Sequence, residues 1–389
     1  MKNKYIKGAV MIGAAMMASE GIAANMETKI DGFLSTRYSV SDDPAFYLEH
    51  REDNGINEDG SFYGTKLGLN ISTQVNEKMS VATQMIATIQ EDGYAMALDW
   101  AFANLDLSPG LNLRVGKIKY PVGLVNEYVD VGVTYPWINA PSVVYSELST
   151  GPQATRESFT GASLLMNKMV DDWTYGADLF AGQVDLTGMT IKSLVGLTVR
   201  ANWDDIVELQ ASTYSGEMNA DNPNMCNSVL QGMGGTCVQP DGGIANVGMG
   251  RAMDGNKHKA TIVGVKADWN NFIAYSEFAS VEMDAMNGMM DSDSWYATVG
   301  YRVNSWMPHV TVDDWEQESG YGQSSTTVGL NYSLSPKSVV KLEVSQVKSN
   351  RLTSVMMFTN AGVNSIGLFD SAPEDDSTQV ISVALDTVF

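Results

Sequence analysis

The sequence predicts an all-β fold: a transmembrane antiparallel barrel of about sixteen strands, with about eighteen also open, carrying long loops on one side and short turns on the other. Three observations carry this reading. Side-chain character alternates along short segments, the connections between segments alternate in length, and aromatic residues gather at segment ends.

A strand sends successive side chains to opposite faces, and a membrane barrel meets lipid on one face and water on the other. In 379–389, Ile381, Val383, Leu385 and Phe389 share one face, with Ser382 and Asp386 on the other. The same beat sets Leu67, Leu69 and Ile71 against Lys66, Asn70 and Ser72. It sets Val195, Leu197 and Val199 against Thr198 and Arg200, and Val340, Leu342 and Val344 against Lys341, Glu343 and Ser345. A soluble sandwich alternates too, so the connections have to discriminate.

Strands are read at 30–40, 62–73, 79–90, 94–107, 110–118, 157–167, 172–183, 190–202, 206–216, 258–269, 272–282, 294–304, 308–316, 324–333, 338–348 and 378–389. One set of connections holds tight-turn residues: Asn76-Glu77-Lys78, Ser108-Pro109-Gly110, Trp203-Asp204-Asp205, Asn270-Asn271 and Ser335-Pro336-Lys337. The opposite set, 41–61, 119–156, 217–257, 283–293 and 349–376, is long. A compact soluble domain seldom carries several loops of that size, whereas an outer-membrane barrel carries them on its external side.

Trp and Tyr favour the membrane–water boundary. Trp173, Trp203, Trp269, Phe272, Trp306, Tyr332 and Phe389 fall at the short-turn ends, and Trp295 and Trp315 near the long-loop ends. The competing reading is that some of these rings belong to an ordinary β core.

The N-terminus reads as an export signal, 1–24. Lys2, Lys4 and Lys7 precede an apolar stretch from Gly8 to Ala18, and Gly21, Ala23 and Ala24 offer a cleavage region. That stretch is shorter than the roughly twenty residues a spanning helix needs, and no later apolar run is long enough either. The mature chain is read as residues 25–389. Cleavage removes three lysines and Glu20, taking the net charge from −22 to −24 and arguing against nucleic acid as a partner. Cys226 and Cys237 lie in a Gly-, Asn-, Asp- and Pro-rich stretch of the 217–257 loop, where an exported chain favours a disulfide. A metal site would want more histidine or cysteine nearby; none is expected, nor is any cofactor.

These features resemble the Gram-negative outer-membrane porins, which carry an export signal and about sixteen alternating strands and end on an aromatic residue. Phe389, preceded at alternate positions by Leu385, Val383 and Ile381, is similar to the terminal-strand signal read by that family's barrel-assembly machinery; Thr387 stands where an apolar residue is usual. The run Leu113-Arg114-Val115-Gly116-Lys117-Ile118-Lys119-Tyr120-Pro121-Val122-Gly123 resembles the strand-to-loop junction of these porins. It is similar in particular to the Gly-basic-x-Lys-x-Pro-x-Gly pattern of the polyphosphate-selective branch. The architectural resemblance covers nearly the whole mature chain, the motifs only these two pieces.

The resemblance implies a water-filled channel for passive diffusion of small hydrophilic solutes and ions, a homotrimer, and a setting of outer-membrane lipid and lipopolysaccharide. It also implies that the third long loop, 119–156, folds back into the barrel and presents carboxylates, here Glu127, Asp130 and Glu147, toward basic wall residues. On the polar face of the predicted strands lie Arg37, Lys66, Arg114, Lys192, Arg200, Lys266, Arg302 and Lys341. Opposed charges in a narrow, low-dielectric channel would orient dipolar solutes and screen ions by sign. Each of these residues also fits a merely solvated lumen position, because such lumens are polar. The acidic composition argues against a preference for phosphate.

Two other functions compete on the same barrel. A hydrolase needs a nucleophile, a base and an orienting group together, but His50, His258 and His309 are dispersed and no Gly-x-Ser-x-Gly elbow is present, so no catalytic residues are expected. A surface adhesin or receptor would use the loop around Cys226 and Cys237; a plugged importer would need a domain before the first strand, where there is no room. A secreted β-rich protein would need helices to cover its apolar faces, and none are predicted.

Overall fold

In the computed structural model the described residues are 27–48, 55–90, 93–145, 158–186, 189–220, 254–284, 288, 290–318, 320, 322–349, 368–369 and 375–389. Among them, sixteen strands close into a single barrel. They are β1 (Thr28–Ser41), β2 (Lys66–Asn76), β3 (Met79–Gln90), β4 (Gly93–Ser108), β5 (Leu111–Lys119), β6 (Ser158–Val170), β7 (Trp173–Leu186) and β8 (Met189–Trp203). The other half comprises β9 (Val207–Ala220), β10 (Lys257–Trp269), β11 (Phe272–Met283), β12 (Ser292–Tyr301), β13 (Trp306–Gln317), β14 (Gly322–Ser335), β15 (Ser338–Ser349) and β16 (Ser377–Val388). Every strand pairs antiparallel with its sequence neighbours, and β1 closes the ring against β16 from Phe33↔Val388 to Ser41↔Val380. The count is sixteen, not eighteen.

Each predicted segment matches one strand; β6, β7 and β9 run three or four residues further than predicted, and β2 and β12 are displaced at one end by local turns. β2 begins at Lys66 instead of 62, because Ser61 is spent on a bridge back to Ser39 and the chain then turns. β12 ends at Tyr301 instead of 304, because Asn304 adopts a left-handed backbone (φ 54°) and Val303 and Trp306 exchange both backbone hydrogen bonds, closing a tight turn. The other short turns use the same chemistry: Asp204, Asp205 and Asn270 take left-handed φ, which their short polar side chains tolerate best after glycine.

Alternation settles which face is which. Val195, Leu197, Val199, Leu342, Val344, Ile381, Val383 and Leu385 are exposed, while Thr198, Lys341, Glu343, Ser382 and Asp386 between them are buried. Register places Leu342 beside Val383 and Val344 beside Ile381, so the outer apolar positions form a continuous band. In water such a band would drive aggregation; in a bilayer it is the solvated surface. Trp203, Trp269, Phe272, Trp306, Tyr332 and Phe389 stand exposed at the short-turn rim, with Trp173 stacked on Trp203, and Trp295 is exposed near the other rim. Trp315 is the exception. It is 1% exposed, in register with inward Ser294, and points into the barrel, not into an aromatic belt.

The interior also corrects a sequence expectation, since the inner wall is not polar throughout. Phe159, Phe180, Tyr214, Ile262, Tyr275 and Tyr296, all from strands between β6 and β12, face inward. They pack with Tyr120, Val122, Leu124, Val125, Trp137, Val143 and Val144 of the β5–β6 loop. Tyr120 alone makes edge contacts with Phe159, Phe180 and Tyr214 at 5.1–5.5 Å. Burying that many large loop side chains contributes on the order of 10 kcal/mol before entropy is charged against it. The apolar part of the wall, on strands β6 to β12, is where this loop packs its large side chains. A smaller cluster packs Ala45, Tyr47 and Ile56 of the first long loop on Val347, Val380, Leu368 and Phe369.

Candidate functional site

The β5–β6 loop turns inward at once. Gly123 has a left-handed backbone (φ 72°), and a side chain there would press on the Tyr145 hydroxyl. The Pro121 carbonyl accepts from Thr198 Oγ1 at 2.6 Å and the Gly123 carbonyl from Gln210 Nε2 at 3.0 Å, tying the loop to β8 and β9. Two 3₁₀ turns, Asn126–Tyr128 and Gly132–Thr134, and one helical turn, Ser142–Tyr145, then carry the chain across the interior.

Charged side chains fasten it at three stations. At the first, Glu127 lies 2.9 Å from Arg200 and 3.7 Å from Arg114, and Arg200 also pairs with Asp178. At the second, Asp130 lies between Lys66 (2.6 Å) and Lys119 (2.7 Å), and Lys119 reaches Asp99 at 3.1 Å. Burial on its own would raise the Asp130 carboxyl, but the two ammonium groups outweigh it and hold that carboxyl well below the usual carboxylate range. At the third, the Lys341 ammonium donates to the carbonyls of Gly132, Tyr135 and Trp137 at 2.6, 3.0 and 2.6 Å and faces Asp386 at 3.0 Å.

Wall carboxylates hold the loop's donors in the same way. Glu277 accepts from the Leu124 amide at 2.7 Å, from the Tyr296 hydroxyl at 2.7 Å and from the Tyr145 hydroxyl. Glu343 accepts the Ile138 amide at 2.9 Å, Arg37 donates to Asn139 Oδ1 at 2.5 Å, and the Trp137 indole donates to Thr298 and Thr311 at 2.9 and 3.0 Å. The loop is thus bonded to β1, β2, β5, β8, β9 and β11–β15.

Of the predicted residues, Glu127, Asp130, Arg37, Lys66, Arg114, Arg200 and Lys341 come together around this loop. They meet in direct contacts, so most of the expected charge opposition is spent on tethering. Arg114, Glu127 and Arg200 keep 30%, 37% and 21% of their side-chain surface exposed and form a wet, charged edge. Arg302 stands apart, beyond the end of β12, its guanidinium bidentate on Asp268 at 2.6 and 2.7 Å. Lys192 is exposed at a bulge in β8, and Lys266 lies over the Tyr275 ring. Glu147, Cys226, Cys237, His50 and segment 1–24 lie outside the described residues.

Lys119, Asp99, Asp178, Glu277, Glu343 and Asp386 are further members of the site. Glu343 and Asp386 do sit on the polar face in the alternation pattern; what the sequence lacks is any sign of which inward carboxylate meets the loop. His309 and His258 are buried, and the His309 ring occupies the space a side chain on Gly329 would fill, with Glu343 3.8 Å away.

No protein-family model and no curated protein matches the sequence. The fold, by contrast, has clear counterparts among solved structures. The trimer form of OmpT, an outer-membrane protein of Vibrio cholerae, superposes with a TM-score of 0.54 at 12% identity over 94% of this chain and 99% of its own. An anion-selective porin from Comamonas acidovorans gives 0.58 at 10% identity over 94% and 100%. Salmonella typhi OmpF in complex with daunomycin gives 0.56 at 12% identity over 93% and 97%. The fold is therefore that of the porin-like barrels of the outer membrane, matching the lipid-facing band described above.

Proposed function

We propose that this chain forms a water-filled outer-membrane channel through which small hydrophilic solutes and ions diffuse passively, with residues 120–145 setting its narrowest part. The observation that supports this best is the loop tethered inside the barrel, leaving Arg114, Glu127 and Arg200 in contact with water. The two guanidinium groups there are matched by Glu127 and Asp178, so the channel discriminates weakly by charge sign. Assembly as a homotrimer belongs to the same proposal.

Liposome swelling tests the reading. Vesicles containing the folded protein should swell in isotonic sugar solutions at rates that fall steeply with solute size. Rates equal to those of protein-free vesicles for the smallest solute would refute it.

A further inference from the structure

On β4, Phe102 packs at the edge of the apolar cluster that seats the loop, and the wall beside it carries a further set of inward residues. Asn104 is in register with Arg114, whose guanidinium meets the loop's Glu127, so Asn104 and the residues alternating with it, Trp100, Phe102 and Asp106, face inward. Trp100 and Phe102 are half-buried, and their rings stack with centroids 5.3 Å apart and 29° between planes. The Arg114 guanidinium sits 5.1 Å from the Phe102 centroid. Beside Phe102 in register is Gly116, and beside that Gly161, so the adjoining wall carries no side chains. Toward the short-turn end, Asn104 donates to Asp106 at 2.9 Å.

Arg114 is underused in this setting. Its contact with Glu127, at 3.7 Å, is longer than a hydrogen bond, and its buried Nε has no acceptor among the described residues. A guanidinium with open donors, a carboxylate and an amide next to a pair of flat rings is the usual composition of a small-molecule site: apolar faces supply contact, and a few polar groups fix orientation. Arg114 and Arg200 face Glu127 and Asp178, and Asp106 at the end of the track adds one more carboxylate, which disfavours an anionic ligand. From Trp100 to Asn104 the strand advances about 14 Å, roughly the length of a short oligosaccharide.

We propose that the Trp100–Phe102–Arg114 track is a weak binding station for neutral sugars of the pyranose class. The apolar face of a sugar ring lies on the aromatic pair, and its hydroxyls bond Arg114, Asn104 and Glu127. The assignment rests on the channel reading above and gives that channel a substrate class.

Maltotriose is the probe. Added to one side of a planar bilayer holding the protein, it should interrupt the ion current in proportion to its concentration. Trp100→Ala should weaken the block about tenfold, equivalent to about 1.4 kcal/mol, whereas Trp269→Ala, a lipid-facing ring, should leave it as in wild type. Trp100→Leu serves if the alanine variant does not fold. Calorimetric titration of maltotriose into the folded protein in detergent gives a second readout. Loss of all current without sugar would defeat the channel reading alone, and the titration would still decide the sugar site. The proposal is overturned if maltotriose neither blocks nor binds, if both Trp100 variants bind it like wild type, or if sodium benzoate blocks where maltotriose does not.

Discussion

Replacing Lys341 by Met should release the inner loop while leaving the barrel closed. The Lys341 ammonium is fully buried and meets three loop carbonyls and the Asp386 carboxylate. Methionine keeps the length and apolar stem but strands a buried carboxylate and three carbonyls. Removing one partner of a buried ion pair costs about 3–5 kcal/mol, and each orphaned buried acceptor about 1–3 kcal/mol. Because neighbouring losses do not add, a total of about 5 kcal/mol is expected. Much of it can be avoided if the loop leaves the wall, so the variant should show a lowered urea midpoint, followed by tryptophan fluorescence in lipid vesicles, together with larger, fluctuating single-channel conductance. Adding Asp386→Leu should recover part of the midpoint by removing the stranded charge. A Lys341→Met protein with wild-type midpoint and steady wild-type conductance would refute the clamp.

Three other expectations follow from the same geometry. Glu127→Gln leaves Arg114 and Arg200 short of a partner and should shift the reversal potential in a salt gradient toward anions, by about fivefold in permeability ratio for about 1 kcal/mol; an unchanged potential would place the wet edge elsewhere. The Asp130 carboxyl is held low, so the stabilisation from Lys66 and Lys119 is fully present above the ordinary carboxylate pKa of about 4 and is lost only as pH falls through the lower folded value. Lowering the pH from about 7 to about 4 should therefore leave this tether intact, and a conductance transition near neutrality that Asp130→Asn abolishes would contradict it. Phe389 exchanges backbone hydrogen bonds with Gly32 at 2.9 and 3.0 Å and lays its ring over that glycine. Phe389→Ala should reduce assembled barrel in cells while refolding from urea in vitro is retained, and equal assembly in cells would count against the terminal-signal reading.

The wall of this barrel is legible in the sequence because lipid on one side and a polar interior on the other impose a two-residue period, as in Ile381, Val383 and Leu385 against Ser382 and Asp386. Short turns are legible through Asn270 and Asp204, whose left-handed backbones suit few other residues. The period fails where the inner face is also dry. Phe180 and Tyr214 pack on Tyr120, and Trp315 turns inward, so a ring near a strand end reads equally well as belt or core. Local spacing places Lys341 and Arg200 on the inner face, but the Trp137 carbonyl that one meets and the Glu127 that the other meets come from the distant loop, while Asp386 and Asp178 come from the neighbouring strand at a register that spacing does not fix. Arg302 had the right parity and lies in the turn beyond β12, because alternation fixes the face of a residue and not its depth.

Ion current through a single folded molecule in a planar bilayer is the most direct test of the central claim. Purified protein should give discrete, long-lived conductance steps that scale with salt concentration and show little preference for either ion sign. Correctly folded protein, migrating as a compact barrel until heated, that inserts into the bilayer without raising its conductance would contradict the claim.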